Sequence, residues 1–536
     1  MRKHDALVCG LAILACCKIS TAIGQTPTQP VSIPLSYVFD SQSYAARLSI
    51  NIGINGGAPR PYLFDTGSSL FNAAFDPKTW GDKYSGYTSS VPPSSLPNGN
   101  GVELCYSEDG GCRGYQGNIL QIPSLSFYKP DVKTTEATPV ATLTTPDGPG
   151  QGFQTNAAYR YTDPTTDPKT HDFFPHYFSD HATKDTPPQE GLFYGVFGSR
   201  ISVDQLPKAS CPGSPDCYVA GGILGQVSIP GAAKQGFVVA ANGQGYVIDP
   251  NGPQPDPSPP PKNATVQIGG KTKELSCNPC VTVGLSPEVI GQFAPVAMPT
   301  PSSAPGLIPW VAPKSPDEAP AFPNPYGSGT GNNSAPTDAM YFTVTVTAGE
   351  DGKNKTKTST AFTLLDTGTK YYSLSKDFKD FSDKDTGTIS ITGLTPDQAS
   401  ITGLPAETSS LFGKPNPNYY VEGSGKTNTI GIPFFTLYSV MFDLTDQATG
   451  YTPFFVTTEK LDTNAGGPLI VTSSNVPLGL AGVVSGQGGL KIESGGSVQL
   501  SATNTYIGPT RIDGTPTGEL SPKVGDGLIF QAAVAV

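Results

Sequence analysis

Two short strings in this chain carry the same chemistry. Phe64-Asp65-Thr66-Gly67-Ser68 follows the apolar run Tyr62-Leu63-Phe64, and Leu365-Asp366-Thr367-Gly368-Thr369 follows Leu364-Leu365. An apolar strand that ends in Asp-Thr-Gly sets a carboxylate at the start of a tight turn, where glycine lets the backbone approach closely. One such string is an ordinary polar turn after a strand. Two copies, each followed by Ser or Thr, point to two lobes that present one carboxylate apiece. Two carboxylates sharing a site do not both ionise easily, so one pKa rises and the other falls. Such a pair holds one proton in acid. It can take a proton from water while giving one to a carbonyl oxygen.

The elements that must position these turns are strands. From Ser43 to Asp65 the chain alternates, breaks at Asn55-Gly56-Gly57 and resumes, which predicts a β-hairpin leading into the first motif. Tyr341–Val346 and Ala361–Leu365 predict strands around a polar turn at Gly349–Lys355. No long stretch sustains a 3.6-residue period. Charged residues are only 14% of 536, while Gly (62) and Pro (54) are plentiful, a composition that fits a β-rich exported protein of two or three domains. The formal net charge of −11 argues against nucleic acid as a partner. The proline-rich stretches 249–262 and 295–336 predict extended surface loops, since long insertions at the surface cost little loop-closure entropy.

Arg2 and Lys3, the apolar run Ala6–Cys17 and the small-x-small string Ala22-Ile23-Gly24 predict a signal peptide over 1–24. Ile13-Leu14-Ala15-Cys16 also faintly resembles a lipoprotein cleavage site. No later segment predicts a transmembrane helix. Six cysteines remain beyond the leader, in close pairs: Cys105 with Cys112, Cys211 with Cys217, Cys277 with Cys280. In an oxidising compartment these are most simply three short-loop disulfides. Cys277-Asn278-Pro279-Cys280 could instead be a redox pair or half a zinc site. His171, His176 and His181 are evenly spaced beside two aspartates, a pattern shared by metal sites and polar loops. The expectation is a polar loop, with no metal and no cofactor. Asn263, Asn332 and Asn354 head glycosylation sequons that matter only in a eukaryote.

With these features in place the chain resembles the pepsin-like (A1-type) aspartic proteases over roughly Ser36–Phe455. "YAARLSINIGINGGAPRPYLFDTGSS" is similar to the family's first hairpin and motif, and "FTLLDTGTKYYSL" to its second. "GGILGQVSI" (Gly221–Ile229) resembles the apolar-apolar-Gly segment that supports the first aspartate. "NATVQIGG" resembles the strand that closes the first lobe, and "TIGIPFFTLYSVMFDLTDQATGY" the second supporting segment and final hairpin. The resemblance implies a mainly β, bilobal fold with Asp65 and Asp366 as the catalytic pair. Thr66 and Thr367 would cross-link the active-site loops, Ser68 and Thr369 would bond the outer carboxylate oxygens, and Gly67 and Gly368 would keep the pair coplanar. Tyr106 would close over a polypeptide substrate from a flap.

Three features depart from the family pattern. Asn72 stands where a tryptophan usually holds the flap tyrosine, Lys370 follows Thr369 where a small residue is usual, and Cys105 and Cys112 bracket the flap. Gly488–Leu520 differs from everything before it. Leu490, Ile492, Val498 and Leu500 alternate with polar residues, and the segment resembles one autotransporter passenger repeat. It predicts a short C-terminal β-helix-like segment and a bacterial source, with possible attachment to the outer membrane or cell surface. The implied division is a leader (1–24), lobes at 30–272 and 273–470, and a tail at 471–536. Two functions are compatible with this pattern: an exported aspartic endopeptidase, or a catalytically inactive pepsin-like inhibitor, adhesin or binding protein at the cell surface.

Overall fold

The computed structural model describes residues 29–533 except 41–44, 69, 77–79, 81–100, 108–112, 145–152, 163–186, 190–191, 201–203, 206–217, 220–221, 228, 243–264, 298–339, 350–353, 371, 382–385, 394–418, 422–427, 446–447, 465–466, 473–475, 514 and 517–527. The leader, the proline-rich stretch 249–262, residues 298–336 of the second one, the three histidines, Cys112, Cys211 and Cys217 lie outside the described residues, while residues 295–297, expected to be loop, belong to a strand. No described helix is long and apolar enough to cross a membrane.

Strands dominate, as the composition predicts. The α-helices among the described residues, Pro287–Ile290 and Ile432–Phe435, are single turns. The first hairpin forms from Ala45–Ile54 and Arg60–Asp65, joined through Asn55 (φ 51°) and Gly56 (φ 79°). Those left-handed angles favour the Asn-Gly pair found there. Met340–Gly349 and Lys355–Leu365 form the matching hairpin that leads into the second motif.

One fifteen-stranded sheet runs from an edge at Ala294–Ala297 to the hairpin of Gly101–Ser107 and Arg113–Ile122. At its centre Val31–Asp40 serves two neighbours. Val31–Pro34 pairs with Cys280–Leu285, and Leu35–Asp40 pairs with Ala45–Ile54. Lys234–Ala240 then joins Cys280–Leu285 to Ser439–Asp443, so strands from both halves of the chain share the sheet. The hairpin into the second motif lies in a separate six-stranded sheet. One of the hydrophobic cores spans both halves. It includes Ile50, Phe64, Phe71 and Phe197 beside Leu365, Phe378, Phe434 and Val440. Phe71 and Phe197 meet edge-to-face at 5.1 Å, directly behind the first motif.

The tail departs from its expected form. From Phe455 on, strands about twenty residues apart pair in parallel, but they fall into three separate open sheets, and none closes or curls on itself among the described residues. The expected C-terminal β-helix-like segment is therefore corrected. Two of the sheets continue into antiparallel strands. Leu469–Val471 pairs with Thr265–Ile268, and Ser497–Leu500 pairs with Leu528–Ala533. Thr265–Ile268, expected to close the first lobe, instead forms a hairpin with Lys271–Glu274 that extends a tail sheet. The alternating residues Leu490, Ile492, Val498 and Leu500 are buried with Ala240, Val266 and Leu275 in a second core. Glu459 ties the tail to this hairpin through Lys273 Nζ (2.7 Å) and the Ser276 amide (2.7 Å).

Candidate active site

Asp65 ends a strand whose last four residues are all buried. Its parallel neighbour is Gly195–Gly198, with Gly198 opposite Asp65. This corrects the expectation that Gly221–Ile229 is the supporting segment. Val196-Phe197-Gly198 does that work, and Ile223–Gln226 forms a 3-10 turn further on. A side chain at Gly198 would stand 2.3 Å from the Leu70 carbonyl oxygen, so only glycine lets the support approach. The second motif repeats the arrangement, since Asn428–Ile430 lies parallel to Lys355–Leu365. The Arg200 amide donates to the Ser68 carbonyl, and the Ile432 amide donates to the Thr369 carbonyl, each at 2.9 Å.

The two turns clasp one another. Thr66 Oγ1 donates to the Leu365 carbonyl (2.9 Å) and accepts from the Thr367 amide (3.0 Å). Thr367 Oγ1 donates to the Phe64 carbonyl (2.8 Å) and accepts from the Thr66 amide (3.0 Å). Both threonines are buried. Within each turn the carboxylate is gripped from its own loop. Asp65 Oδ1 accepts from the Gly67 and Ser68 amides (2.7 and 3.1 Å), and its Oδ2 from Ser68 Oγ (2.5 Å). Asp366 Oδ1 accepts from the Gly368 amide (2.7 Å), and its Oδ2 from Thr369 Oγ1 (2.5 Å).

The glycines bring the pair together crosswise. A Cβ on Gly67 would stand 2.3 Å from Cγ of Asp366, and one on Gly368 would stand 2.3 Å from Cγ of Asp65. The carboxyl groups hydrogen-bond each other. Burial holds the Asp65 carboxyl well above the usual carboxylate range. The charge of Asp366 and the bond to it push the same way, and the Ser68 and Gly67 donors oppose them. Asp366 is half-buried. This arrangement can hold one proton between two carboxyls and pass it on.

Tyr106 sits in the strand Gly101–Ser107 at a register shift, where Cys105 opposes Gly114 and Ser107 opposes Arg113. It is thus the bulged residue at one end of a hairpin. Asn72 is fully buried. Its Nδ2 donates to the Leu70 carbonyl (3.2 Å) and its Oδ1 accepts from Asn156 Nδ2 (2.8 Å). Lys370 is half-buried beside the second motif. Cys277 and Cys280 form a disulfide, which leaves neither thiol for zinc or dithiol chemistry in this state. Two residues beside the site carry no sequence motif. Asn156 partners Asn72, and Arg47, 7% exposed, donates from Nη1 to the Gly368 carbonyl.

No family model matches the chain, and no curated protein matches it. Among solved structures it is distantly similar to the aspartic proteinase from Irpex lacteus, at 13% identity and a TM-score of 0.39, over 79% of this chain and 97% of that one. It is also similar to edgp, at 11% identity and a TM-score of 0.40, over 80% of this chain and 96% of that one. Scores this low carry no inference about activity.

Proposed function

We propose that the chain is an aspartic-type endopeptidase acting on polypeptide substrates outside the cytoplasm. The observation that carries this reading is the pair itself: Gly67 brings the backbone against the Asp366 carboxyl and Gly368 against the Asp65 carboxyl, and burial together with the Asp366 charge raises the Asp65 pKa. In the proposed mechanism the pair shares one proton, resting on the Asp65 side. Water between the carboxyls loses a proton to the ionised Asp366 and attacks the peptide carbonyl, while Asp65 donates to the carbonyl oxygen. The product of that step is a neutral gem-diol. Collapse with protonation of the amine then breaks the C–N bond and restores the proton to the pair. The bonds from Ser68 and Thr369 orient the outer oxygens, and the Thr66–Thr367 clasp sets the distance between the carboxyls. The two lobes, at 30–272 and 273–470, would each supply one motif, with the tail at 471–536 docked on them. Tyr106, at the end of its hairpin, is the proposed flap residue.

A second reading is a catalytically silent pepsin-like binding protein. One observation favours it. Asn72 stands where the family's tryptophan would steady a flap tyrosine, and it is fully buried and bonded to Leu70 and Asn156. Cleavage of denatured protein in acidic buffer, blocked by pepstatin, separates the two readings. Asp65→Asn and Asp366→Asn should each abolish cleavage and leave the protein folded. Absence of cleavage by the wild-type chain, or its survival in either variant, would sink the endopeptidase reading.

A further inference from the structure

We propose that Arg47 is a positioning residue of the paired-carboxylate site: from the first hairpin it clamps the Gly368 carbonyl and so fixes the second motif against the first. The proposal rests on the endopeptidase reading for its kinetic consequences, but the clamp itself does not depend on that reading.

Arg47 lies within Ala45–Ile54, and Ala46, Leu48, Ser49, Ile50, Asn51 and Ile52 around it are all buried. An arginine is almost never sunk in such a strand without a partner that accounts for it. Its register partner is Val38, which offers no acceptor side chain. Nη1 donates to the Gly368 carbonyl, 321 residues further along the chain, and Nε is buried with no hydrogen-bond partner among the described residues. Leaving a buried guanidinium nitrogen unpaired is unfavourable, and an apolar residue of similar volume would avoid the penalty. Bulk alone therefore does not explain arginine here. The bond to Gly368 does.

Gly368 is where the two carboxyls meet. Its amide donates to Asp366 Oδ1 at 2.7 Å, and its Cα faces the Asp65 carboxyl so closely that any Cβ would collide with it. The site thus demands glycine, the residue with the loosest backbone. A glycine whose amide and Cα must both be placed to a fraction of an ångström needs its carbonyl held from outside. Arg47 supplies that hold from the opposite motif's hairpin. The direction of Asp65's titration is set by burial and by Asp366, so the role assigned to Arg47 is geometric.

The test uses the full chain with Arg47→Met, Arg47→Lys and Arg47→Gln. Misplacing a catalytic group by about 1 Å costs on the order of 100-fold in rate. Arg47→Met should therefore lower kcat by about 10–100-fold with KM changed less than about twofold. Arg47→Lys, which keeps one donor and the charge, should recover part of that loss. Hydrogen exchange of the peptide spanning 364–370 should quicken in Arg47→Met relative to the rest of the protein and slow again in Arg47→Lys. That readout needs no activity, so it tests the clamp even if the wild-type chain cleaves nothing. If Arg47→Met does not fold, the same measurements on Arg47→Gln and Arg47→Lys decide, with the neutral Gln donor expected to fall below Lys. Unchanged kcat and unchanged local exchange would overturn the proposal. So would an exchange increase spread evenly over the molecule with no rescue by Lys, since that is the mark of a merely structural residue.

Discussion

Replacing Thr66 by valine keeps the shape of the side chain and removes one hydroxyl. That hydroxyl serves two backbone groups of the other motif, the Leu365 carbonyl at 2.9 Å and the Thr367 amide at 3.0 Å. Thr66 is 3% exposed, so water cannot replace the lost partner. An unsatisfied buried group costs about 1–3 kcal/mol, and with two groups stranded the loss should be about 2–6 kcal/mol. Thr367→Val strands the Phe64 carbonyl and the Thr66 amide and should cost about the same, by the same accounting. The two bonds of the Thr66 hydroxyl share no atom with the two of the Thr367 hydroxyl, yet both pairs hold the same two turns. Once one hydroxyl is gone the turns can part, and the second loss should matter less. The double variant should thus fall short of the sum by about 1 kcal/mol, within the range seen for groups in one network. Urea unfolding followed by the fluorescence of buried Trp80 gives all three values. Single-variant losses below about 0.5 kcal/mol would refute the satisfied-pair argument, and strict additivity in the double variant would refute the shared clasp.

Gly368→Ala places a methyl 2.3 Å from the Asp65 carboxyl carbon, so it should cut the cleavage rate by about 100-fold or more, and a near-wild-type rate in a peptide cleavage assay would contradict the crosswise packing. Asp65→Asn should leave stability in strong acid unchanged and raise it toward neutral pH. The folded-state pKa of Asp65 is raised, so its contribution is fully present below the ordinary value of 3.8 and is lost as pH rises through the folded value. Thermal midpoints of variant and wild type measured across pH should diverge on the neutral side, and curves that stay parallel would count against a raised Asp65.

The chemistry of the site was legible because it lies in contiguous strings. Each D-T-G carries its carboxylate, its clasp hydroxyl and its close-approach glycine within three residues, and the apolar run before it marks the strand. The Asn55-Gly56 turn was equally local, since its left-handed angles follow from residue type. What was not legible depends on pairing between distant segments. Val196-Phe197-Gly198 and Ile223-Leu224-Gly225 are both apolar-apolar-Gly, and only the sheet decides which of them lies beside Asp65. Thr265–Ile268 was visible as a strand, but nothing within it says that its neighbour is Leu469–Val471. The tail's alternation marked buried residues correctly, while the number of sheets and their open form depend on strands at 265–274 and 528–533. Arg47 stands in its strand as any solvent-facing arginine would, and the carbonyl it bonds lies in a loop over three hundred residues away.

The clasp between Thr66 and Thr367 joins positions 301 apart, and this sets an order of events during synthesis. Chains fold as they emerge, N-terminal parts first. When Asp65 leaves the ribosome its partner has not been made, and neither have the Cys280–Leu285 and Ser439–Asp443 strands of the central sheet. Through that interval Asp65 is a lone carboxyl on a turn, with no neighbouring charge to retain its proton. The parallel neighbour of the second motif, at 428–430, is made later still. A prematurely terminated chain therefore carries one carboxylate of the pair without the turn that clasps it.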